Sequence, residues 1–216
     1  ATRVQVSDPE EKSLDKLARL YANKPLVDAP YRIKIRSQLV RGWKAQDTPN
    51  YIVVYSTKDE PLVRAIKTEL EAVRTEYERL LPPVKPIQAV STVRVCRDRD
   101  EYVQYGGSPW SGGYWNSEAQ ELVFYDYDNV GGKKGTGKAN SRIVLYHEAF
   151  HQFVHYSCGE LAPHSWFNEG TGDYFSGARI AGGKVKKIGV NPWRLASAKA
   201  LAAGGSIPWR EILAFE

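Results

Sequence analysis

Residues 141–156 read SRIVLYHEAFHQFVHY, and the apolar residues before the first histidine predict a buried helix. The stretch contains the pattern H-E-x-x-H, in which His147 and His151 flank Glu148. On a helix the two histidines share one face, about 6 Å apart along the axis, so both imidazoles can reach one metal ion. Glu148 is offset by one residue, where it can lie beside the ion and take a proton from metal-bound water. The alternative is that the two histidines simply pack on a helix.

A second helix is expected downstream, where residues 166–174 read WFNEGTGDY. A catalytic zinc usually takes three protein ligands and leaves a position for water. Glu169 follows His151 by 18 residues, which leaves room for the first helix to end and the second to pack back against it. Asp173 lies one helical turn after Glu169, where it can accept the outer ring N–H of a ligating histidine. A solvated helix face is the alternative, but the aromatic neighbours favour partners for both carboxylates.

H-E-x-x-H followed by N-E-G-x-x-D resembles the gluzincin metallopeptidases, the clan typified by thermolysin and the zinc aminopeptidases. The string at residues 166–170 is similar to the peptidase MA-like families of uncharacterised bacterial proteins, which are often secreted. The resemblance implies a zinc ion on His147, His151 and Glu169, with Glu148 as general base and Asp173 supporting a ligand. It also implies a peptide or protein substrate, which lies along an edge strand of the sheet, and hydrolysis by a metal-activated water.

Two features depart from the best-known gluzincins: the spacing between His151 and Glu169 is shorter, and no Tyr or His follows Tyr174. The usual late transition-state donor is therefore missing, which leaves His164 and Tyr174 as the candidate donors. This departure keeps open an alternative function, that of a catalytically inactive zinc-binding module that acts as an interaction domain. It also suggests a fragment of a longer chain.

The remaining patterns predict an α+β fold, and the resemblance implies that this fold is zincin-like. We expect one catalytic domain over residues 1–216, with a mixed sheet and helices in residues 1–130, a mostly helical part in residues 139–216, and a cleft between them. Period-2 and β-branched runs predict strands, and apolar spacing of three and four predicts helices. The predicted strands are 51–55, 92–96 and 122–125, the last paired with 112–115, and the predicted helices are 60–81, 98–105, 141–156, 164–180 and 193–203. A helix start is expected at Asp8–Glu11, and a loop with a candidate strand at Tyr31–Val40.

Composition limits the partners of this chain of 216 residues. Its net charge of +5 permits an anionic partner, such as a nucleic acid or an anionic polymer, but no dense basic block with interleaved aromatic residues predicts specific nucleic-acid binding. No run of 18 apolar residues predicts a transmembrane segment. The cysteines Cys96 and Cys158 are two free thiols in a cytosolic protein or one bridge in an exported one. We expect an extracellular or periplasmic location, with a cytoplasmic one left open, and the sequence carries no signal for an oligomeric state.

Two other features invite metal or phosphate binding. His155 extends the series of histidines at four-residue steps, but it lies about 12 Å along the axis from His147, too far to share one ion. Contact with the terminal carbonyl groups of the helix is the favoured interpretation. The segment Gly132–Ala139 nearly matches a phosphate-binding P-loop, but alanine replaces the hydroxyl that would hold magnesium. A basic loop at the rim of the cleft is favoured there.

Overall fold

The structure is a computed structural model, which describes residues 14–22, 26–127, 137–159, 163–205 and 208–214. Helices and strands are interspersed along the chain rather than strictly alternating, which confirms the α+β class. In chain order the elements are α1 Leu14–Ala22, α2 Ala29–Ser37, β1 Lys44–Asp47, β2 Tyr51–Tyr55, α3 Glu60–Leu80, β3 Ser91–Cys96, α4 Arg99–Tyr105, β4 Gly113–Asn116, β5 Glu121–Tyr125, α5 Gly137–Ser157, α6 Ser165–Ser176, β6 Ala178–Ala181, β7 Lys184–Ile188, α7 Pro192–Ala203 and α8 Trp209–Ala214.

A five-stranded mixed sheet in the order β1-β2-β3-β5-β4 forms the centre of the fold. The three central strands are parallel, with Val53 beside Val93 and Val93 beside Leu122. Strands β1 and β4 pair antiparallel at the two edges. Central strands buried on both faces need continuous apolar runs, and β2 and β5 are buried at every position. The sheet therefore has helices on both sides, and β4 is one of its edges.

Helices α3 and α5 cover one face of the sheet, and α2 and α4 cover the other. Alternate strand residues point to opposite faces, so Val53 packs toward α3 and α5 while Val54 packs toward α2. The larger core contains the apolar stripe of α3, which includes Leu70, and the buried residues of α5 before and after the histidines. The helix that carries H-E-x-x-H is therefore held rigidly against the sheet.

The candidate strand at Tyr31–Val40 is wrong, because residues 29–37 form α2. The Asp28 side chain caps this helix by accepting a hydrogen bond from the Tyr31 backbone N–H. The decisive interaction is distant in sequence: the buried guanidinium of Arg32 donates to the Asp47 carboxylate and to the carbonyl of Tyr51. A helix brings the arginines of this segment onto one face toward β1, a contact that local patterning cannot reveal.

The predicted helix over residues 164–180 is wrong beyond Ser176, where the chain enters a β-hairpin formed by β6 and β7. Gly177 ends the helix at a close backbone approach, since a Cβ there would lie 1.8 Å from the Gly189 carbonyl oxygen. Gly182 and Gly183 make the hairpin turn with positive φ angles. The hairpin returns the chain to the end of α6, so that α7 begins beside it.

The other predicted strands and helices are confirmed within a few residues. The expected helix start at Asp8–Glu11 and most of the Gly132–Ala139 loop lie outside the described residues. Cys96 is buried and Cys158 is exposed, and both are free thiols. Within the described ranges, no helix is both long enough and apolar enough to cross a membrane.

Candidate metal centre

Aromatic packing fixes α6 against α5 and thereby sets the geometry of the site. The Phe150 ring of α5 lies 6.4 Å from the Phe167 ring and 5.3 Å from the Phe175 ring, both on α6. Phe175 also packs edge-on against Tyr77 of α3, with 4.6 Å between the ring centroids. These contacts bury one face of α6 and turn its neighbouring polar face toward the two histidines of α5.

His147, His151 and Glu169 come together in one group. A ligand atom from each residue lies within 4.8 Å of the other two. Nε2 of His147 is 3.2 Å from one Glu169 oxygen, and Nε2 of His151 is 3.5 Å from the other. The histidine side chains are about one-tenth exposed, whereas 59% of the Glu169 side chain is exposed. The site is therefore half-open, with its nitrogen atoms sheltered and its carboxylate at the surface.

The outer nitrogen of each ring faces a second residue of α6. Nδ1 of His147 lies 3.1 Å from Oδ1 of Asp173. Nδ1 of His151 lies 2.9 Å from Oδ1 of Asn168. When Nδ1–H donates to an oxygen, the ring is held in the tautomer whose Nε2 is a free metal ligand. Both rings therefore present Nε2 to the Glu169 carboxylate.

The His147 and His151 rings have fewer N–H groups than acceptor oxygens around them, and this arrangement suits a bound cation. A neutral imidazole has one N–H, yet each ring has an acceptor oxygen beside both of its nitrogen atoms. One contact of each ring therefore lacks a proton, unless the ring is protonated or a cation lies between Nε2 and the carboxylate. Two imidazole nitrogens and a carboxylate oxygen are a set that zinc accepts. The group formed by His147, His151 and Glu169 could therefore hold a metal ion.

The charges of the group favour ionisation of its carboxylate ligand. Burial opposes the charged form of His147, but the hydrogen bond to Glu169 and the charges of Glu148 and Asp173 outweigh it and raise the pKa of His147. The same hydrogen bond lowers the pKa of Glu169 more than its partial burial raises it, with help from the charge of His151. Glu169 is thus held as the anion that a metal ion needs.

Glu148 lies beside the group, on the side that faces the edge strand β4. Burial raises the pKa of its carboxyl, although the charges of His147 and His151 and the backbone N–H of Trp115 act in the opposite direction. Trp115 is in β4, and its indole packs against His155, farther along α5. A carboxyl group beside a metal-binding group is placed to accept and release a proton.

The two candidate transition-state donors make their own contacts outside the group. His164 caps α6, and its Nδ1 accepts a hydrogen bond of 3.4 Å from the Trp166 backbone N–H. Tyr174 is 53% exposed, and its ring packs edge-on against Phe175. Within the described part of the chain, neither side chain makes a hydrogen bond or an ion pair with His147, His151 or Glu169. His155 is also outside the group, and its ring packs against Trp115 and Tyr156 instead.

Sequence reasoning assigned no role to three residues that complete the site. Asn168 directly precedes Glu169 in the sequence, and this position next to a predicted ligand could have indicated a role in the site. Gly172 approaches the His147 ring so closely that a Cβ would lie 3.0 Å from Nδ1. Arg194, at the start of α7, places Nε 2.8 Å from Oδ2 of Asp173. No sequence spacing links Arg194 to the site, because the connection depends on the unpredicted hairpin.

Comparison with known proteins adds no relative: no protein-family model matches this chain, and no curated protein matches it. The chemistry of the site therefore depends on what its own residues show. His147, His151 and Glu169 supply the metal-binding atoms, Asp173 and Asn168 hold the rings, and Glu148 is a carboxyl group beside them.

Proposed function

We propose that this chain is a zinc-dependent metallopeptidase of the gluzincin type. The observation that carries the proposal is the joint orientation of both imidazoles, whose Nε2 atoms face one carboxylate while their Nδ1 atoms face Asp173 and Asn168. A pair of histidines that merely packed on a helix would not need an oxygen acceptor at every ring nitrogen. The half-open position of Glu169 leaves room for a substrate beside the group.

His147, His151 and Glu169 would hold the ion, and zinc bound there would polarise a peptide carbonyl and lower the pKa of water. Glu148 accepts the proton of the attacking water on its carboxylate and delivers it to the leaving nitrogen. In the metal-free chain burial raises the pKa of the Glu148 carboxyl, which makes its carboxylate a stronger base. Asp173 and Asn168 keep the ligand rings from rotating.

The sheet offers a place for the peptide itself. Strand β4 forms one edge of the sheet. The backbone N–H of its residue Trp115 interacts with the Glu148 carboxylate. An extended peptide can add to such an edge through backbone hydrogen bonds. This supports β4 as the substrate edge, and the space between the sheet edge and α6 as the cleft of a zincin-like fold.

The first test is metal binding. Purified protein reconstituted with zinc and desalted should retain about one equivalent by elemental analysis, as a single catalytic site requires. His151→Ala should lose the metal, whereas His155→Ala, on the same helix but outside the group, should keep it. Metal below about a tenth of an equivalent in the wild type would refute the proposal, since a built site of this kind binds zinc tightly.

The second test is hydrolysis of a mixed library of quenched fluorescent peptides. The wild type should cleave it, lose activity with a chelator and regain activity with zinc. Glu148→Gln should keep the metal and lose activity by about 100-fold or more, because an amide cannot accept the proton. Glu118→Gln, on an exposed turn, is the matched control and should retain full activity.

One observation favours the second candidate, a zinc-binding interaction module without activity: in the described part of the chain, neither His164 nor Tyr174 makes a hydrogen bond or an ion pair with the metal-binding group. Full zinc occupancy without cleavage of any library peptide would favour this candidate over the peptidase. Loss of metal in Glu148→Gln would instead show that Glu148 is a ligand.

A further inference from the structure

We propose that Arg194 is a positioning residue of the metal centre, which holds Asp173 in the orientation that His147 requires. The Asp173 carboxylate bridges two partners: Oδ1 lies 3.1 Å from Nδ1 of His147, and Oδ2 lies 2.8 Å from Nε of Arg194. Without Arg194, the aspartate carboxylate would keep only its polar contact with His147 among the described residues and could rotate away from the ring. The inference rests on the proposed function, because its consequence is the strength of zinc binding.

The start of α7 is anchored so that Arg194 reaches the aspartate. The Asn191 side chain caps α7 by accepting hydrogen bonds from the backbone N–H groups of Trp193 and Arg194. The same side chain donates a buried hydrogen bond of 2.7 Å to Ser176 Oγ, which in turn donates to the Asp173 carbonyl oxygen. One asparagine thus ties the first turn of α7 to the last turn of α6.

The β6–β7 hairpin brings these two helix ends together. Gly177 follows α6, and its carbonyl accepts a hydrogen bond of 2.9 Å from the Gly189 backbone N–H at the far end of the hairpin. The close backbone approach at Gly177 leaves no space for a side chain. The hairpin therefore returns the chain to the end of α6 at Gly189, two residues before Asn191.

Helix α7 itself has no buried residue. Its apolar residues, such as Leu201 at 72% exposure, do not anchor it to the core. The contacts of its first turn with Ser176 and Asp173 thus account for its attachment at this end. Because α7 is attached through its first turn and has no buried residue, we infer that its role is to hold the Arg194 guanidinium beside Asp173 rather than to fill the core.

The test is zinc affinity, measured by competition with a chromophoric chelator, for Arg194→Ala and for the control Lys199→Ala. Both substitutions remove one positive charge from α7 and introduce the best helix former, but Lys199 is exposed and makes no ion pair with any residue in the described ranges. Arg194→Ala should weaken zinc binding by about 10-fold, the lower end of the effect of losing a residue that orients a metal ligand. Lys199→Ala should change it by less than about 2-fold, as expected for a distant surface charge.

A double-mutant cycle separates positioning from a general structural effect. In the Asp173→Ala background, Arg194→Ala should change zinc affinity by less than about 2-fold, because its effect passes through the absent carboxylate. The visible absorption of bound Co²⁺ should also shift in Arg194→Ala and not in Lys199→Ala, since the spectrum reports ligand geometry.

Three outcomes overturn the inference, and they differ from one another. Wild-type zinc affinity in Arg194→Ala refutes the role of Arg194 while leaving the proposed function intact. An equal loss of affinity with and without Asp173 shows that Arg194 acts by another route. Failure of the wild type to bind zinc refutes the proposed function, and this inference with it.

Discussion

Gly172 offers the sharpest test of how closely α6 is fitted to the metal centre. A Cβ at this position would lie 3.0 Å from Nδ1, 3.1 Å from Cε1 and 3.3 Å from Cγ of the His147 ring. Favourable contacts between such atoms begin at about 3.5 Å, so the ring would have to move by a few tenths of an ångström. The ring has little freedom to move, because its Nδ1 is held by Asp173 and its helix is packed against the sheet.

Gly172→Ala should therefore weaken zinc binding by about 10-fold, since the displaced ring no longer points Nε2 at the shared site. The net effect on stability should lie between no change and a loss of about 2 kcal/mol. Replacing glycine in a helix by alanine stabilises by roughly 1 kcal/mol, while the contact strain opposes this with about 1–3 kcal/mol. The substitution thus separates metal affinity from fold stability.

Gly170→Ala is the matched control, because it lies in the same helix and no atom is within 4 Å of its added Cβ. It should keep wild-type zinc affinity and raise the melting temperature of the metal-free protein by about 2–4 °C, the shift that 1 kcal/mol gives in a chain of this size. The assay is chelator competition for zinc, together with thermal unfolding followed by circular dichroism in EDTA. Equal zinc affinity in the two variants would refute the argument from the fit of Gly172. A far lower unfolding temperature for metal-free Gly172→Ala would also refute the argument, because the strain would then destabilise the whole fold rather than displace the His147 ring.

The remaining predictions concern the residues that hold the rings and one buried ion pair. Asp173→Ala should weaken zinc binding by about 10–100-fold in chelator competition, while Asp173→Asn, whose amide oxygen can still accept from His147, should do less harm; equal losses would argue against an acceptor role. Asn168→Ala should lower zinc affinity about 10-fold by freeing the His151 ring, and wild-type affinity would contradict that role. Arg32→Leu should lower the free energy of unfolding by about 1–3 kcal/mol in urea, because the carbonyl groups of Val27 and Pro49 lose their side-chain donor while Asp47 keeps its ion pair with Arg36, with metal affinity unchanged per folded molecule; an unchanged free energy of unfolding would show that water replaces the guanidinium.

If Arg194 acts as proposed, the β6–β7 hairpin and the first turn of α7 contribute to the metal centre. Residues from Gly177 to Asn191 then serve to bring the start of α7 back to Asp173. A ligand ring, its aspartate and an arginine would form a single chain of contacts from His147 to the surface of the protein. Since the Arg194 side chain is 61% exposed, the outer end of this chain is accessible to solvent.

The sequence by itself determined the parts of the site that depend on helical spacing. His147 and His151 share a face because four residues make nearly one helical turn, and the same holds for Glu169 and Asp173. Strong apolar patterns also predicted α3 and the central strands, since one face of α3 and both faces of the central strands pack against the core. These inferences succeeded because the information lies within one element.

Only the tertiary structure decided which surfaces meet. The contact of Asn168 with His151 and that of Asp173 with His147 depend on how Phe150 packs against α6, which no spacing records. Residues 29–37 form a helix because Arg32 reaches Asp47, and α6 stops at Ser176 because the backbone passes close to Gly189. In each case the deciding partner is distant in sequence, and the free energy of that contact outweighs the local preference.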